Sequence, residues 1–169
     1  MEDKINLLEK FEEANLLLRQ KAFEEACIIY DELLKEDFHS VELYNNYGLA
    51  LFYLDKFDEA IEKFKRAIEI DPDFALPYAN MGLVYLNKEE YEKAEQFFLK
   101  ALERDPENPE THYNMAVTYY RLDRKNDALR HYEAFINFSR DDYEKLKESV
   151  QKIITEIKQS IQKDEDSQV

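Results

Sequence analysis

This chain of 169 residues is long enough for one ordinary domain, and its composition argues against several classes of function. Acidic residues outnumber basic ones by 38 to 23, and the resulting formal charge of −15 disfavours nucleic acid or anionic membranes as partners, although a basic protein is compatible with it. No apolar run reaches the ~20 residues of a membrane span, the N-terminus lacks a secretory leader pattern, and Cys27 is the only cysteine, so we predict a cytoplasmic protein without internal disulfides.

A period of 34 residues organises most of the chain. Residues of one type recur at this spacing in three series: Gly48 and Gly82; Ala60, Ala94 and Ala128; and Pro72 and Pro106. A fixed period of this length predicts stacked helix–turn–helix units, because one such unit cannot bury its apolar face alone. The period places the units at residues 7–40, 41–74, 75–108 and 109–142.

Two helices are predicted in each unit, since apolar residues recur at helical spacing in two blocks. Acidic residues begin the second helices, where they complement the positive end of the helix dipole. Asp71-Pro72 and Asp105-Pro106 are predicted to end two of them, because proline disfavours the helical conformation in the residue before it. These signals indicate an all-α fold.

Beyond the third unit, Asn108-Pro109 indicates an N-cap followed by proline in the first helical turn. Further on, an apolar stripe predicts a capping helix at about residues 141–162, formed by Leu146, Val150, Ile153, Ile154, Ile157 and Ile161. Ser139 with Asp142 is a variant of the capping box that would begin this helix. Residues 163–169 are polar and are predicted to be a disordered tail.

Residues 41–108 carry one motif twice: an aromatic residue, Tyr or Met before Gly, then Ala-x-x-x-Phe-x-x-Ala and finally Asp-Pro. This motif closely resembles that of the tetratricopeptide repeat family. The flanking units match it less well, since Asp37-Phe38 replaces Asp-Pro in the first and Ala116 replaces Gly in the fourth. The resemblance implies an all-α, right-handed superhelical solenoid of about four repeats with a capping helix, forming a single domain of residues 1–162.

The resemblance also implies that the first helix of each repeat lines a concave groove. The residues predicted to bind a peptide there stand at inward-facing repeat positions: Asn45, Asn46, Leu49, Phe52, Ala79, Asn80, Leu83, Leu86, Tyr113, Asn114, Val117 and Tyr120. An asparagine amide both donates and accepts hydrogen bonds, so Asn46, Asn80 and Asn114 suit the backbone of an extended peptide. The alternative is that these amides only cap or solvate helices and that the aromatic residues pack within the array.

One subtype of the family can be tested on the residues themselves. Co-chaperones that bind the acidic C-terminus of heat-shock proteins use a clamp of two asparagines and three cationic residues. The five corresponding places in this chain are Phe11, Asn15, Asn46, Leu76 and Asn80. Both amides are present and all three cations are absent, so nothing offsets the desolvation of a dicarboxylate and we predict no such clamp.

The sequence offers little for catalysis. His39, His112, His131 and Cys27 match no metal-ligand spacing, and two isolated glycines cannot form a phosphate-binding loop. We therefore predict a chain that is not an enzyme and that needs no metal or cofactor.

The leading functional hypothesis is a scaffold or adaptor that binds a peptide of another, basic or apolar, protein in the groove. The first alternative is a structural unit that self-assembles into a homo-oligomer, with the apolar stripe of the last helix pairing with its own copy. The second is an acidic chaperone of the kind that serves type III secretion. Those chaperones have a similar size but more degenerate repeats and an N-terminal extension, which this sequence does not show.

Overall fold

The computed structural model describes residues 2–140 and 143–166, and all regular structure within them is helical. The helices are α1 (Glu2–Arg19), α2 (Phe23–Lys35), α3 (Val41–Tyr53), α4 (Phe57–Ile70), α5 (Ala75–Asn87), α6 (Tyr91–Arg104), α7 (Pro109–Arg121), α8 (Lys125–Phe138) and α9 (Glu144–Asp166). The predicted all-α fold of repeated helix pairs with one further helix is confirmed. None of the described helices combines the length and the apolar character needed to cross a membrane.

The same tight turn joins the two helices of each pair. Its central residues all have φ between 57° and 63°: Lys21, Asp55, Glu89 and Asp123. In the second pair, the Lys56 N–H donates to the Leu51 carbonyl at 3.0 Å, and the Asp55 N–H donates to the Phe52 carbonyl at 3.0 Å. These two bonds form a Schellman motif, which satisfies the last carbonyls of the first helix and usually has glycine at the position of positive φ.

The ends of three helices confirm the predicted signals. Asp71 and Asp105 are the C-cap residues of α4 and α6, as expected for residues that precede proline. At the start of α7, Asn108 Oδ1 accepts a hydrogen bond from the Thr111 N–H at 2.9 Å, and Pro109 lies in the first turn. The asparagine thereby satisfies one of the N–H groups that the first turn of a helix leaves unpaired.

The start of the last helix differs from its prediction. Ser139 lies at the C-cap of α8, and its hydroxyl donates to the Phe135 carbonyl, so it completes α8 instead of beginning α9. Its predicted capping partner, Asp142, lies outside the described residues.

The far end of the last helix also differs. Because α9 continues to Asp166, residues 163–166 are helical, whereas the polar composition predicts a disordered tail there. The Lys125 ammonium lies 2.6 Å from the Asp164 carboxylate, and this ion pair ties the end of α9 to the start of α8. Residues 167–169 lie outside the described part of the chain.

The chain divides into two compact units, Met1–Val84 and Tyr85–Val169, and the single domain expected for residues 1–162 stays a prediction. In the first unit α1 packs on α2, α2 on α3, and α3 most extensively on α4. Its largest fully buried side chains are Tyr30, Leu33, Leu43, Leu51 and Phe64. Gly48 allows α3 to approach α4 closely, since a Cβ at this position would lie 2.6 Å from the Phe64 ring.

In the second unit α6 packs on α7, α7 on α8, and α8 on α9. Buried side chains from all four helices form its core, among them Phe98, Met115, Phe135, Val150, Ile154 and Ile157. The apolar stripe of the last helix therefore lies against this core, which is the expected position of a helix that closes a stacked array.

Candidate functional site

The asparagines predicted to line the groove in the first unit are hydrogen-bonded to one another. Asn80 Nδ2 donates to Asn45 Oδ1 at 2.9 Å, and Asn45 Nδ2 donates to Asn46 Oδ1 at 3.2 Å. Asn46 Nδ2 donates in turn to Asn15 Oδ1 at 3.0 Å, and the Tyr30 hydroxyl donates to the same oxygen at 2.8 Å. We call these five residues the amide row; it links α5, α3, α1 and α2.

The amide row has buried and accessible members. Asn45 is 4% exposed, Asn15 is 9% exposed and Tyr30 is fully buried. Asn46 and Asn80 are half-buried. These hydrogen bonds fix the orientation of the amides, because each Nδ2 that donates has the side-chain carbonyl oxygen of another asparagine as its acceptor. Asn45 is therefore buried in hydrogen bonds within the row, whereas Asn46 and Asn80 have the accessible amides that a ligand could contact.

Sequence reasoning missed that Asn15 and Tyr30 belong to this arrangement. One signal was present, since Asn15 is a polar departure from the repeat pattern and stands where the later repeats have Leu49, Leu83 and Val117. Tyr30 gave no such signal, because the fourth repeat also has a tyrosine, Tyr132, at this position. In the structure the Tyr30 hydroxyl and the Asn15 amide satisfy each other in a buried position.

Four apolar residues predicted for the groove also lie in the first unit and are half-buried: Leu49, Phe52, Ala79 and Leu83. The Phe52 ring packs against Phe57 with a distance of 5.8 Å between ring centroids. Each of the four keeps apolar surface in contact with water, and covering such surface with a partner side chain is favourable.

The predicted residues of the second unit likewise keep some exposed surface: Leu86, Tyr113, Asn114, Val117 and Tyr120. The Tyr113 ring packs edge-on against Tyr132 and Phe135, with centroid distances of 6.0 and 5.5 Å. Tyr120, by contrast, is 54% exposed. Packing inside the unit thus accounts for much of the Tyr113 surface but not for that of Tyr120.

Two histidines of the second unit are paired. His112 Nδ1 lies 3.0 Å from His131 Nδ1, and His112 Nε2 lies 2.9 Å from the Pro106 carbonyl oxygen. A carbonyl only accepts, so His112 Nε2 carries a proton and donates it to Pro106. Burial and the neighbouring His112 lower the pKa of His131 to about 4. Both nitrogens of His112 and Nδ1 of His131 are engaged in these contacts, which suits a structural role.

The remaining candidates for chemistry are no better placed. Burial raises the pKa of the Cys27 thiol to about 11, and a protonated thiol is a poor nucleophile. Within residues 2–140 and 143–166, no group of three or more His, Cys, Asp or Glu side chains could hold a metal ion.

Known protein families match the middle of the chain. The families described as TPR repeat and Tetratricopeptide repeat match residues 48–88 and 75–108, and a further Tetratricopeptide repeat family matches residues 97–130. The chain is a tetratricopeptide repeat protein. Such proteins are typically interaction scaffolds without catalytic activity, and this confirms the prediction that the chain is not an enzyme.

Several solved structures share the fold of this tetratricopeptide repeat protein. The crystal structure of MamA is 21% identical with a TM-score of 0.69, covering 80% of this chain and 74% of that one. YrrB, a TPR protein with an unusual peptide-binding site, is 22% identical with a TM-score of 0.64, covering 76% and 66%. The first TPR of Spaghetti (RPAP3), bound to the HSP90 peptide SRMEEVD, is 17% identical with a TM-score of 0.64, covering 72% and 93%. These identities establish likeness of fold alone, and no curated protein sequence matches the chain.

Proposed function

We propose that this tetratricopeptide repeat protein is a non-enzymatic scaffold that binds an extended segment of another protein on the first helices of its repeats. The observation that carries the proposal is the amide row on α1, α3 and α5 together with the half-buried apolar side chains predicted for the same groove. The peptide-binding site of YrrB and the peptide bound to Spaghetti support a peptide as the ligand.

The amide row suits recognition of a peptide backbone. An asparagine amide has two N–H donors and an oxygen that accepts two hydrogen bonds. Asn46 and Asn80 each use one N–H within the row, so both keep a donor and acceptor capacity for a ligand. The row already holds these amides in one orientation, which lowers the entropy that binding would cost. Recognition of this kind tolerates many side chains in the bound segment.

The surroundings of the row favour a basic or apolar segment. Leu49, Phe52 and Leu83 can cover apolar side chains of the ligand. The formal charge of −15 attracts a basic partner and repels an acidic one over long range. An acidic peptide like the one bound to Spaghetti does not suit this chain, since Phe11 and Leu76 occupy two of the cationic places of a carboxylate clamp.

Affinity capture from a lysate of the native cell tests the proposal. The test variant is Asn46→Ala with Asn80→Ala, and the matched control is Leu99→Ala, which truncates an exposed leucine of α6. Because Asn80 also bonds Asn45, circular dichroism must first establish that both variants are folded. A protein recovered with the wild type and the control but lost with the double variant supports binding at the amide row. Equal recovery with all three overturns it.

The apolar stripe of the last helix no longer supports self-assembly, because its residues Val150, Ile154 and Ile157 are buried within the second unit. A homo-oligomer would need another surface and stays a prediction. Light scattering across a wide concentration range tests it, and a strict monomer would rule it out.

The chaperone alternative also stays a prediction, and a client protein no more soluble when co-expressed with this chain would rule it out. A cytoplasmic location is part of the proposal, and fluorescence microscopy of a tagged chain tests it.

A further inference from the structure

Four aromatic side chains of the first unit form a cluster where α3 ends and where α2 and α4 begin. The Tyr53 ring stacks on Phe23 with a centroid distance of 4.7 Å and an interplanar angle of 16°. Phe52 meets Tyr53 edge-on at 5.4 Å and lies 5.8 Å from Phe57. We call Phe23, Phe52, Tyr53 and Phe57 the aromatic patch.

Tyr53 is the accessible ring of the aromatic patch. It is 52% exposed, whereas the other three members are half-buried. Phe23 stacks on one face of the Tyr53 ring and Phe52 meets the ring edge-on, and about half of the side chain still remains exposed. The face of an aromatic ring carries negative charge density and attracts a cation placed above it.

Other aromatic rings of the chain already have a cation of the chain itself above them. The distances from cation to ring centroid are 4.5 Å for Lys63 over Tyr47, 5.4 Å for Lys93 over Tyr85, 5.0 Å for Lys100 over Phe97 and 4.3 Å for Arg124 over Tyr119. In the part of the chain that the structure describes, no Lys or Arg lies over Tyr53 in this way. The exposed Tyr53 ring of this acidic protein can therefore accept a cation from a binding partner.

Acidic residues accompany the aromatic patch along the chain. Exposed acids that follow a patch residue within two positions include Glu24, Glu25, Asp55 and Glu59. Burial raises the pKa of the Cys27 thiol; Glu24 of α2 and Glu59 of α4 raise it further, whereas Lys56 and Lys63 lower it, so charges of both signs lie near this thiol. The basic residues of the adjoining turns are Lys21 and Lys56, and the acids outnumber them.

The geometry points to an arginine side chain of the bound segment as the occupant of the aromatic patch. A planar guanidinium can stack on the exposed part of the Tyr53 ring while its N–H groups donate to acidic residues that follow the patch in sequence. An apolar side chain would contact the ring but form no ion pair with the acidic residues. A lysine ammonium can also lie over a ring, but it lacks the planar group that stacks and donates several hydrogen bonds at once. The inference rests on the proposed peptide-binding function, because Phe52 belongs to both the patch and the predicted groove, and it adds the chemistry of the segment.

NMR titration of the isotopically labelled full chain with matched hexapeptides tests the inference. The peptides consist of alanine and leucine with one central residue, which is arginine, citrulline or lysine; citrulline keeps the shape of arginine and lacks its charge. We expect the arginine peptide to shift the Tyr53 amide resonance and to bind roughly three- to tenfold more tightly than the citrulline peptide. Tyr53→Leu should abolish this preference, and Tyr53→Phe, which keeps the ring, should retain it.

Each other outcome of the titration refutes a defined part of the argument. Equal binding of the arginine and citrulline peptides, with shifts along α3 and α5, overturns the arginine inference and leaves the scaffold function standing. Binding of none of the peptides overturns the inference and also counts against the scaffold function. An arginine preference that survives Tyr53→Leu places the arginine elsewhere and overturns the assignment to the patch. Since Tyr53 is more than half exposed, both variants should keep the wild-type Tm, which circular dichroism checks.

Discussion

Replacement of Gly48 by alanine tests the close approach of α3 and α4. Helix propensity alone predicts that alanine in place of glycine inside a helix stabilises by about 1 kcal/mol. The added Cβ, however, would lie 2.6 and 2.8 Å from two carbons of the Phe64 ring. Phe64 has no exposed surface, so its ring has no open space to move into. Overpacking costs about 1–3 kcal/mol, and for so short a contact we expect a net destabilisation of about 1–2 kcal/mol.

A double-mutant cycle with Phe64→Leu isolates this contact. Leucine removes the ring, so Gly48→Ala in that background should stabilise the protein by up to about 1 kcal/mol through helix propensity. Urea unfolding followed by far-UV circular dichroism measures the free energy of unfolding of all four proteins. The expected result is a reversal of the sign of the alanine effect between the two backgrounds.

Two results would refute the reasoning. Equal destabilisation by Gly48→Ala in both backgrounds would mean that the cost arises away from the Phe64 ring. Stabilisation in the wild-type background would mean that α3 and α4 separate at little cost, and the close approach would then not explain the glycine.

Substitutions at three further positions have defined expected outcomes. Glu89→Gly should stabilise by about 0.5–1 kcal/mol because Glu89 has a φ of 59°, and the Tm should rise, whereas Glu89→Ala should bring no gain. Asn45→Ala should cost about 1–3 kcal/mol in urea unfolding, since it removes two hydrogen bonds of the buried amide row; an unchanged midpoint would contradict the row's structural role. Burial and His112 lower the pKa of His131 from 6.5 to about 4 in the folded protein. As the pH falls, the unfolded chain therefore binds this proton before the folded chain does. The contribution of neutral His131 to stability is complete above pH 6.5 and is lost as the pH falls toward 4. Allowing for solvent screening, we expect a loss of about 1–2 kcal/mol, and His131→Gln should flatten this part of the pH dependence of unfolding.

Local signals explain why much of the fold could be predicted. Asp71 and Asp105 mark two helix ends and Asn108 marks a helix start, because proline restriction and N-capping act within one turn of the residue concerned. The turns between paired helices were not predicted. Positive φ is usually indicated by glycine, and here it occurs at residues such as Lys21 and Glu89. Such a conformation persists where the surrounding structure over-determines it, as the packing of two helices does here.

The end of α9 shows the limit of composition as a guide. Residues 163–166 are polar enough to predict disorder, yet the helix continues through them. The ion pair between Lys125 and Asp164 joins positions 39 residues apart. These two charges come together only because α9 packs against α8. A polar composition therefore predicts disorder at a position where the folded chain forms an ion pair.

Periodicity and composition belong to the chain alone, and they determined that this protein is an array of helix pairs with Asn46, Asn80 and Asn114 at one repeat position. Only the tertiary structure decided what the amides of the first unit contact. Asn15 and Asn46 are 31 residues apart, and Asn45 and Asn80 are 35 apart, yet each pair shares a hydrogen bond. Bonds over such separations depend on how neighbouring helices pack side by side. A local pattern states which face of a helix a residue occupies, but the partner on the next helix is set by the packing itself.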